Sequence, residues 1–446
     1  MYCDHCGASI DSTSQFCAQC GSRVEKETTA RREQAPASFH AKRRSSPKLL
    51  LTVLILAIPL ALVGFIFFRV LSTDEISEVR KILAQAAQSV EAMEDTHWKA
   101  FTLNDIARVQ ARTGDRTAAA KSIDRAKQAV SGMQNELKVI PLDTIAATQA
   151  RIGDRAAAEI FMREVLQTSR SAGSDDLRNA TEKTLAIIQA ATGDVSGALA
   201  RIEALSDLRG KDFALSNITS EQADWGEVTA ALQTASRIRD SDLRVRALTR
   251  VAIAQAKMGD RNGANATFRE ALHTTEGLKD GPQKAAFLIT IASAQGDAAD
   301  RTAAALTIQQ AMQVELAVAS DYEKRDLAIA YAKSGQLKQA YATMNTIVKD
   351  YEKDIVLESA AMAEAQFANV RAALKTAATI KNHTWNGKAL RGIAAAQAKA
   401  GDVKGAIEWA SRQTSPFSKA SGLLGVAEGI LERKQAGKTK SSTVKQ

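Results

Sequence analysis

Cysteine is absent after residue 20, so most of this chain cannot build a disulfide framework and must hold itself together by packing. Catalytic signatures are missing too. There is no H-E-x-x-H, no G-x-S-x-G and no glycine-rich phosphate loop, and His97, His273 and His383 stand in no metal or catalytic spacing. An enzyme is therefore not expected. Aromatic residues make up only 5% of the chain, and Trp98, Trp225, Trp385 and Trp409 are placed irregularly, which reads as core anchors. A strong charge imbalance is also missing from the body of the chain. The formal net charge is +9, but residues 1–48 carry eight Lys/Arg against five Asp/Glu, Arg69 adds one, and the tail from Glu432 carries five against one. What remains for residues 72–431 is +1, so no nucleic-acid partner is expected for the large domain.

What is present begins with the four cysteines. Cys3-x2-Cys6 and Cys17-x2-Cys20 form two matched knuckles, CDHCG and CAQCG, each followed by a glycine that lets the backbone turn beneath a metal. Four thiolates close a tetrahedral zinc site and leave no open position for catalysis. His5 inside the first knuckle is a spectator. With only Tyr2, Ile10, Phe16 and Val24 to bury, the module has almost no core, and the metal must supply its folding energy. Residues 1–24 resemble the small zinc-ribbon domain found at the N-terminus of many bacterial proteins, including membrane-anchored ones. Residues 25–48, rich in Glu, Lys, Arg, Ser and Thr with no apolar period, read as a flexible basic linker.

From Leu49 to Phe68 the chain carries no charge. Twenty helical residues rise about 30 Å, the thickness of a bilayer's hydrocarbon core, so residues 49–71 are expected to form a single transmembrane helix. Lys42, Arg43, Arg44 and Lys48 precede it and only Arg69 follows closely. That asymmetry implies a cytoplasmic N-terminus and an extracytoplasmic C-terminal domain, in a single-pass protein of a bacterial inner membrane. No A-x-A cleavage pattern follows, so the anchor is expected to be retained.

The remaining chain repeats itself. IARVQARTGDRTAAAKSIDRA (106–126), VAIAQAKMGDRNGANATFREA (251–271) and IAAAQAKAGDVKGAIEWA (393–410) share one frame. Its turn position falls at Gly114, Gly153, Gly193, Gly226, Gly259, Ala299, Gly335, Ala368 and Gly401, at intervals of 39, 40, 33, 33, 40, 36, 33 and 33. Five residues after each turn stands an alanine, from Ala119 to Ala406. Seven before it stands another, except at Thr219. Small residues at fixed places on two helices let their backbones approach closely, so each unit is expected to be a helical hairpin. Asp115, Asp154, Asp194, Asp260, Asp300 and Asp402 follow the turn as caps for the second helix.

Gly259, Ala264, Phe268 and Ala271, and likewise Ala328, Tyr331, Gly335 and Ala340, resemble the tetratricopeptide repeat over about residues 97–413. The family's early tryptophan and late proline are missing, and glutamine replaces its tyrosine in seven units, at Gln110, Gln149, Gln189, Gln222, Gln255, Gln295 and Gln397. The resemblance implies peptide binding in a concave groove. The amides could form a ladder for such a peptide, or bond to neighbouring helices. The second reading is preferred, since an unsatisfied buried amide costs about 1–3 kcal/mol.

The expected fold class is therefore all-α: a TPR-like helical-hairpin solenoid of about nine repeats, preceded by a small zinc ribbon and a single transmembrane helix. The domains are 1–24, 25–48, 49–71, a leading helix in 72–96, the solenoid in 97–431, and a disordered basic tail in 432–446. The leading helix and a helix around 422–431 read as caps with solvated outer faces. The expected function is a membrane-anchored protein-interaction scaffold with a structural zinc held by Cys3, Cys6, Cys17 and Cys20. A protein or peptide would occupy the solenoid, and the lipid bilayer would hold the span. The alternative is a transmembrane signalling or regulatory protein whose ribbon contacts a cytoplasmic protein or nucleic acid.

Overall fold

The computed structural model describes residues 75–443, apart from residues 132, 134, 154–155, 157, 159, 161–174, 206 and 315–319. The chain divides into two units, Met1–Phe67 and Phe68–Gln446, and the first lies outside the described residues. The four cysteines, the linker and the apolar run of 49–71 all lie outside the described residues.

Among the described residues every regular element is a helix. Helix α1 (75–91) leads. Hairpins follow in the expected frame: α2 (Thr96–Arg112) with α3 (Arg116–Ser131), then α4 (Asn135–Ile152), whose partner is only partly described. Next come α5 (Asp175–Ala191) with α6 (Val195–Glu203), α7 (Leu208–Asp224) with α8 (Val228–Ala235), and α9 (Ser241–Lys257) with α10 (Arg261–Glu276). Then follow α11 (Pro282–Asp297) with α12 (Arg301–Gln313), α13 (Asp321–Lys333) with α14 (Leu337–Met344), and α15 (Asp350–Gln366) with α16 (Val370–Ala377). The series ends with α17 (His383–Ala400) and α18 (Val403–Ser411), followed by the long α19 (Pro416–Thr443).

The frame rests on backbone geometry. All nine turn positions have positive φ, including two that are not glycine, Ala299 at 61° and Ala368 at 60°. The N–H of the next residue returns to the carbonyl four residues before the turn, as Asp260 does to Gln255 at 2.9 Å and Asn369 to Glu364 at 3.0 Å. This is the left-handed helix ending in which one residue with positive φ lets two orphan carbonyls find donors. The turn aspartates then cap the second helix: Asp115, Asp194, Asp260, Asp300 and Asp402 each accept from the N–H three residues on, at 2.8–3.1 Å. Asp154 lies outside the described residues. The framing alanines are buried, from Ala119 and Ala107 in the first hairpin to Ala406 and Ala394 in the last, and Thr219 is equally buried where one alanine is missing.

The uneven repeat length has a simple origin. Where the next turn is 33 residues away, the second helix has only 8 or 9 residues; intervals of 39, 40 and 36 go with second helices of 16, 16 and 13. A short second helix brings the chain back early and leaves backbone N–H groups at the entry to the next hairpin. In three such units an aspartate 14 residues before the turn accepts them. Asp212 takes the N–H groups of Arg239 and Asp240, Asp321 those of Val348 and Lys349, and Asp354 those of Lys381 and Asn382, at 2.8–3.2 Å. These backbone bonds, Lys349 first, hold the Asp321 carboxyl below its ordinary pKa.

Three expectations need correction. The single transmembrane helix is not among the described residues, and no described helix is long and apolar enough to cross a membrane. The longest, α19, has the length but carries Lys419, Glu428, Glu432, Arg433 and Lys434 among its apolar positions, since it packs on other helices and faces water in turn. Among the described residues the fold is an all-helical body, and none of its helices supports the expected single-pass inner-membrane localisation. Second, the caps do not face solvent independently. Val79 and Leu83 of α1, Leu103 and Ile106 of α2, and Leu423, Val426 and Ile430 of α19 share one hydrophobic core, so the two ends of the array meet. Third, α19 runs on to Thr443, through the stretch expected to be an unstructured tail. Arg433 is drawn into the fold by Glu75 at 3.0 Å and by the carbonyl of Ala398 at 3.3 Å.

Candidate functional site

The meeting of the ends creates a site that no single hairpin contains. The C-terminal halves of α2, α7 and α9 and the middles of α17 and α19 line a cavity of about 530 Å³. Its lining holds Arg108, Arg112, Arg250, Lys257 and Arg391 against Asp105, Asp224, Glu428 and Glu432, with Val109, Ile253 and Met258 as apolar wall.

Arg391 on α17 is the central tie. Its guanidinium donates to Glu428 at 2.8 and 2.6 Å and to Asp105, on the other end of the array, at 2.5 Å. Burial opposes the charge on both Arg391 and Glu428. Their mutual attraction outweighs it, holding the arginine pKa above its ordinary value and the Glu428 pKa below. Arg108 reaches from α2 to Asp224 at 3.4 Å and Glu221 at 3.7 Å, in a unit more than a hundred residues away. Arg250 meets the same Asp224 at 2.8 Å. Lys257 and Lys399 share Glu432, at 3.8 and 3.0 Å. Beside the cavity Arg151 of α4 forks onto Glu227. The interior is thus bridged by ion pairs between distant units.

Trp225 belongs to this site. Its indole N–H donates to Glu221 at 2.7 Å, and the guanidinium carbons of Arg108 and Arg151 lie 6.0 and 5.5 Å from its ring centroid, so it is a polar-site wall and not the core anchor expected. Trp98 and Trp409 do pack on the core shared by the ends. Trp385 packs on the core of the eighth and ninth hairpins, with the Lys388 ammonium 4.0 Å from its centroid.

The glutamine ladder is internal. Oε1 of Gln110, Gln222, Gln255 and Gln295 accepts from the hydroxyl twelve residues on, at Ser122, Thr234, Thr267 and Thr307, at 2.8–2.9 Å. Gln189 accepts from Arg201 Nε and Gln397 from Trp409 Nε1, again twelve residues on and at 2.8 Å. Glu364 keeps the pattern with Thr376. Gln149 is buried too, but twelve residues on stands Phe161, which has no side-chain donor, so this unit departs from the pattern. These amides tie the two helices of a hairpin together and are not presented to a peptide.

Sequence reasoning missed the aspartates Asp212, Asp321 and Asp354, although their shared place 14 residues before the turn was there to find. It also missed the cavity, although Arg112, Asp224 and Lys257 each stand two residues before a turn; what no spacing shows is which repeats come to face one another.

Residues 2–24 match the family of zinc-ribbon domains. The match contains Cys3, Cys6, Cys17 and Cys20, whose geometry lies outside the described residues; four thiolates in two matched C-x2-C turns are the donor set a closed tetrahedral zinc needs. No metal-binding cluster occurs among the described residues. No curated protein matches the chain. Among solved structures, Ton1535 from Thermococcus onnurineus NA1 is 14% identical over 72% of this chain and 99% of that one, with a TM-score of 0.29, a likeness too slight to support any argument.

Proposed function

We propose that this protein is a non-catalytic interaction scaffold, in which a structural zinc ribbon held by Cys3, Cys6, Cys17 and Cys20 precedes a TPR-like array that binds a protein or peptide partner. The observation that carries the reading is the repetition itself. Hairpins stacked in one frame through buried alanines make an extended surface whose exposed side chains are free to vary. The partner's surface is the outer rim and not the interior, which ion pairs already bridge. At that rim Tyr322, Val348 and Tyr351 are 52%, 80% and 54% exposed, with Trp385 in edge contact with Tyr351 at 6.1 Å. Exposed aromatic residues with cations nearby, here Arg325 and Lys349 over Tyr322, are enriched where proteins meet.

Affinity capture with the full chain and with a Tyr322→Ala, Tyr351→Ala double variant tests this. A protein retained by the first and lost from the second supports the reading. Identical sets of retained proteins would remove the rim from it.

A further inference from the structure

We infer that the cavity between the ends of the array binds a small molecule bearing an oxyanion, a carboxylate or a phosphate, and that the bound molecule holds the ends together. The volume of about 530 Å³ lies within the range of small-molecule pockets, roughly 300–1,000 Å³. Its charges set the sign of the ligand. Each lining carboxylate is already engaged: Asp105 and Glu428 by Arg391, Asp224 by Arg108 and Arg250, and Glu432 by Lys257 and Lys399. An incoming cation would find no free acid. An incoming anion finds Arg112, which ends α2 and is exposed, and whose guanidinium forms no ion pair or hydrogen bond with any described residue. Arg112 lies close enough to Glu428 to help lower its pKa without touching it. Lys257 stands nearby with only a 3.8 Å contact and is 56% exposed, so it can turn toward a ligand without breaking a close pair.

Five lining cations against four carboxylates leave one positive charge in excess, which one oxyanion would neutralise. A guanidinium fork matches the paired oxygens of a carboxylate or a phosphate. Val109, Ile253 and Met258 offer the rest of the ligand an apolar wall. These groups come together only when α2, α9 and α19 do. A ligand that binds this arrangement and not the open one must favour closure, by mass action.

The test uses the full chain, with inorganic phosphate and succinate as probes and sodium chloride at matched ionic strength as control. Melting temperature and titration calorimetry are followed for the wild type, Arg112→Gln and Lys257→Gln. The expected result is a saturable rise in melting temperature with at least one probe, beyond the chloride control, and at least tenfold weaker binding in both variants. Arg112→Gln gives up only a through-space attraction to Glu428, so without probe it should melt slightly below the wild type. Phosphate alone acting would identify a phosphate-bearing ligand, succinate alone a carboxylate. No saturable effect from either probe, or an effect unchanged in Arg112→Gln, overturns the inference and leaves the rim reading of the scaffold untouched.

Discussion

Gln255 and Thr267 are joined across their hairpin, the threonine hydroxyl donating to the glutamine side-chain oxygen at 2.8 Å with both residues buried. The backbone carbonyl of the same glutamine accepts the N–H of Asp260, so one residue closes the turn twice. Gln255→Leu leaves the Thr267 hydroxyl without that acceptor, at a cost of about 1–3 kcal/mol. Adding Thr267→Val should recover much of the loss, because two apolar groups leave nothing unsatisfied. Thermal melting of the two single variants and the double variant reads the coupling, and strictly additive losses would show that the bond is not what stabilises the pair.

Ala264 is 2% exposed, so Ala264→Leu must force two helices apart, at typically about 1–3 kcal/mol for such overpacking. The damage should stay close to its hairpin, because stacked units touch mainly their neighbours. Hydrogen exchange should quicken over roughly residues 220–310 and stay unchanged elsewhere. Uniform acceleration across the array would mean that the ring of contacts between its ends makes it unfold as one.

Ala368 holds φ at 60°, where an L-residue with a β-carbon is strained by roughly 1–2 kcal/mol. Ala368→Gly should therefore stabilise the eighth hairpin, by somewhat less than that since glycine also loses more entropy on folding. The same exchange at Ala264, inside a second helix, should destabilise by about 1 kcal/mol. Comparing the two melting temperatures separates turn strain from helix propensity; shifts of the same sign would contradict this account.

Glu358 sits on α15 among Lys333, Ser359, Lys388 and Asp297, and burial pushes its carboxyl above the usual pKa despite these cations. Its native state therefore holds its proton more tightly than the unfolded chain does. Stability from this group is present below the ordinary carboxylate value of about 4.3 and declines as pH rises through the raised one. Glu358→Gln should thus stabilise the protein near pH 7 and change little near pH 4. Glu428 has the opposite sign, its pKa being lowered, so Glu428→Gln should destabilise at neutral pH and lose its effect in acid. Denaturation from about pH 2 to pH 8 checks both slopes, that of Glu428 lying below the ordinary carboxylate value of about 4.3.

One zinc per chain is expected in metal-replete, reducing conditions, held by Cys3, Cys6, Cys17 and Cys20, and Cys17→Ser should lose it. Elemental analysis of the purified chain decides the matter, with less than half an equivalent in the unaltered protein counting against the site. The all-helical array should keep its far-ultraviolet circular dichroism in the variant, because none of the hairpins uses a cysteine.

The hairpins were legible in the sequence because each is made by local forces. A residue with positive φ, an aspartate one place on, a glutamine four before and alanines on both helices act within a single repeat, so Gly259, Asp260, Gln255 and Ala264 announce the turn, the cap, the tie and the close approach. The sequence by itself thus determined the frame, favoured the internal role of the amides and pointed to four thiolates as the ribbon's metal ligands. Its apolar run pointed to a membrane span that no described helix supplies. Only the tertiary structure decided that the ends meet, that Arg391 ties Asp105 to Glu428, and that Trp225 lines a charged cavity instead of a core. Those pairings depend on the small rotation added at each stacked hairpin, which accumulates over the whole array, and no spacing within one repeat records the sum.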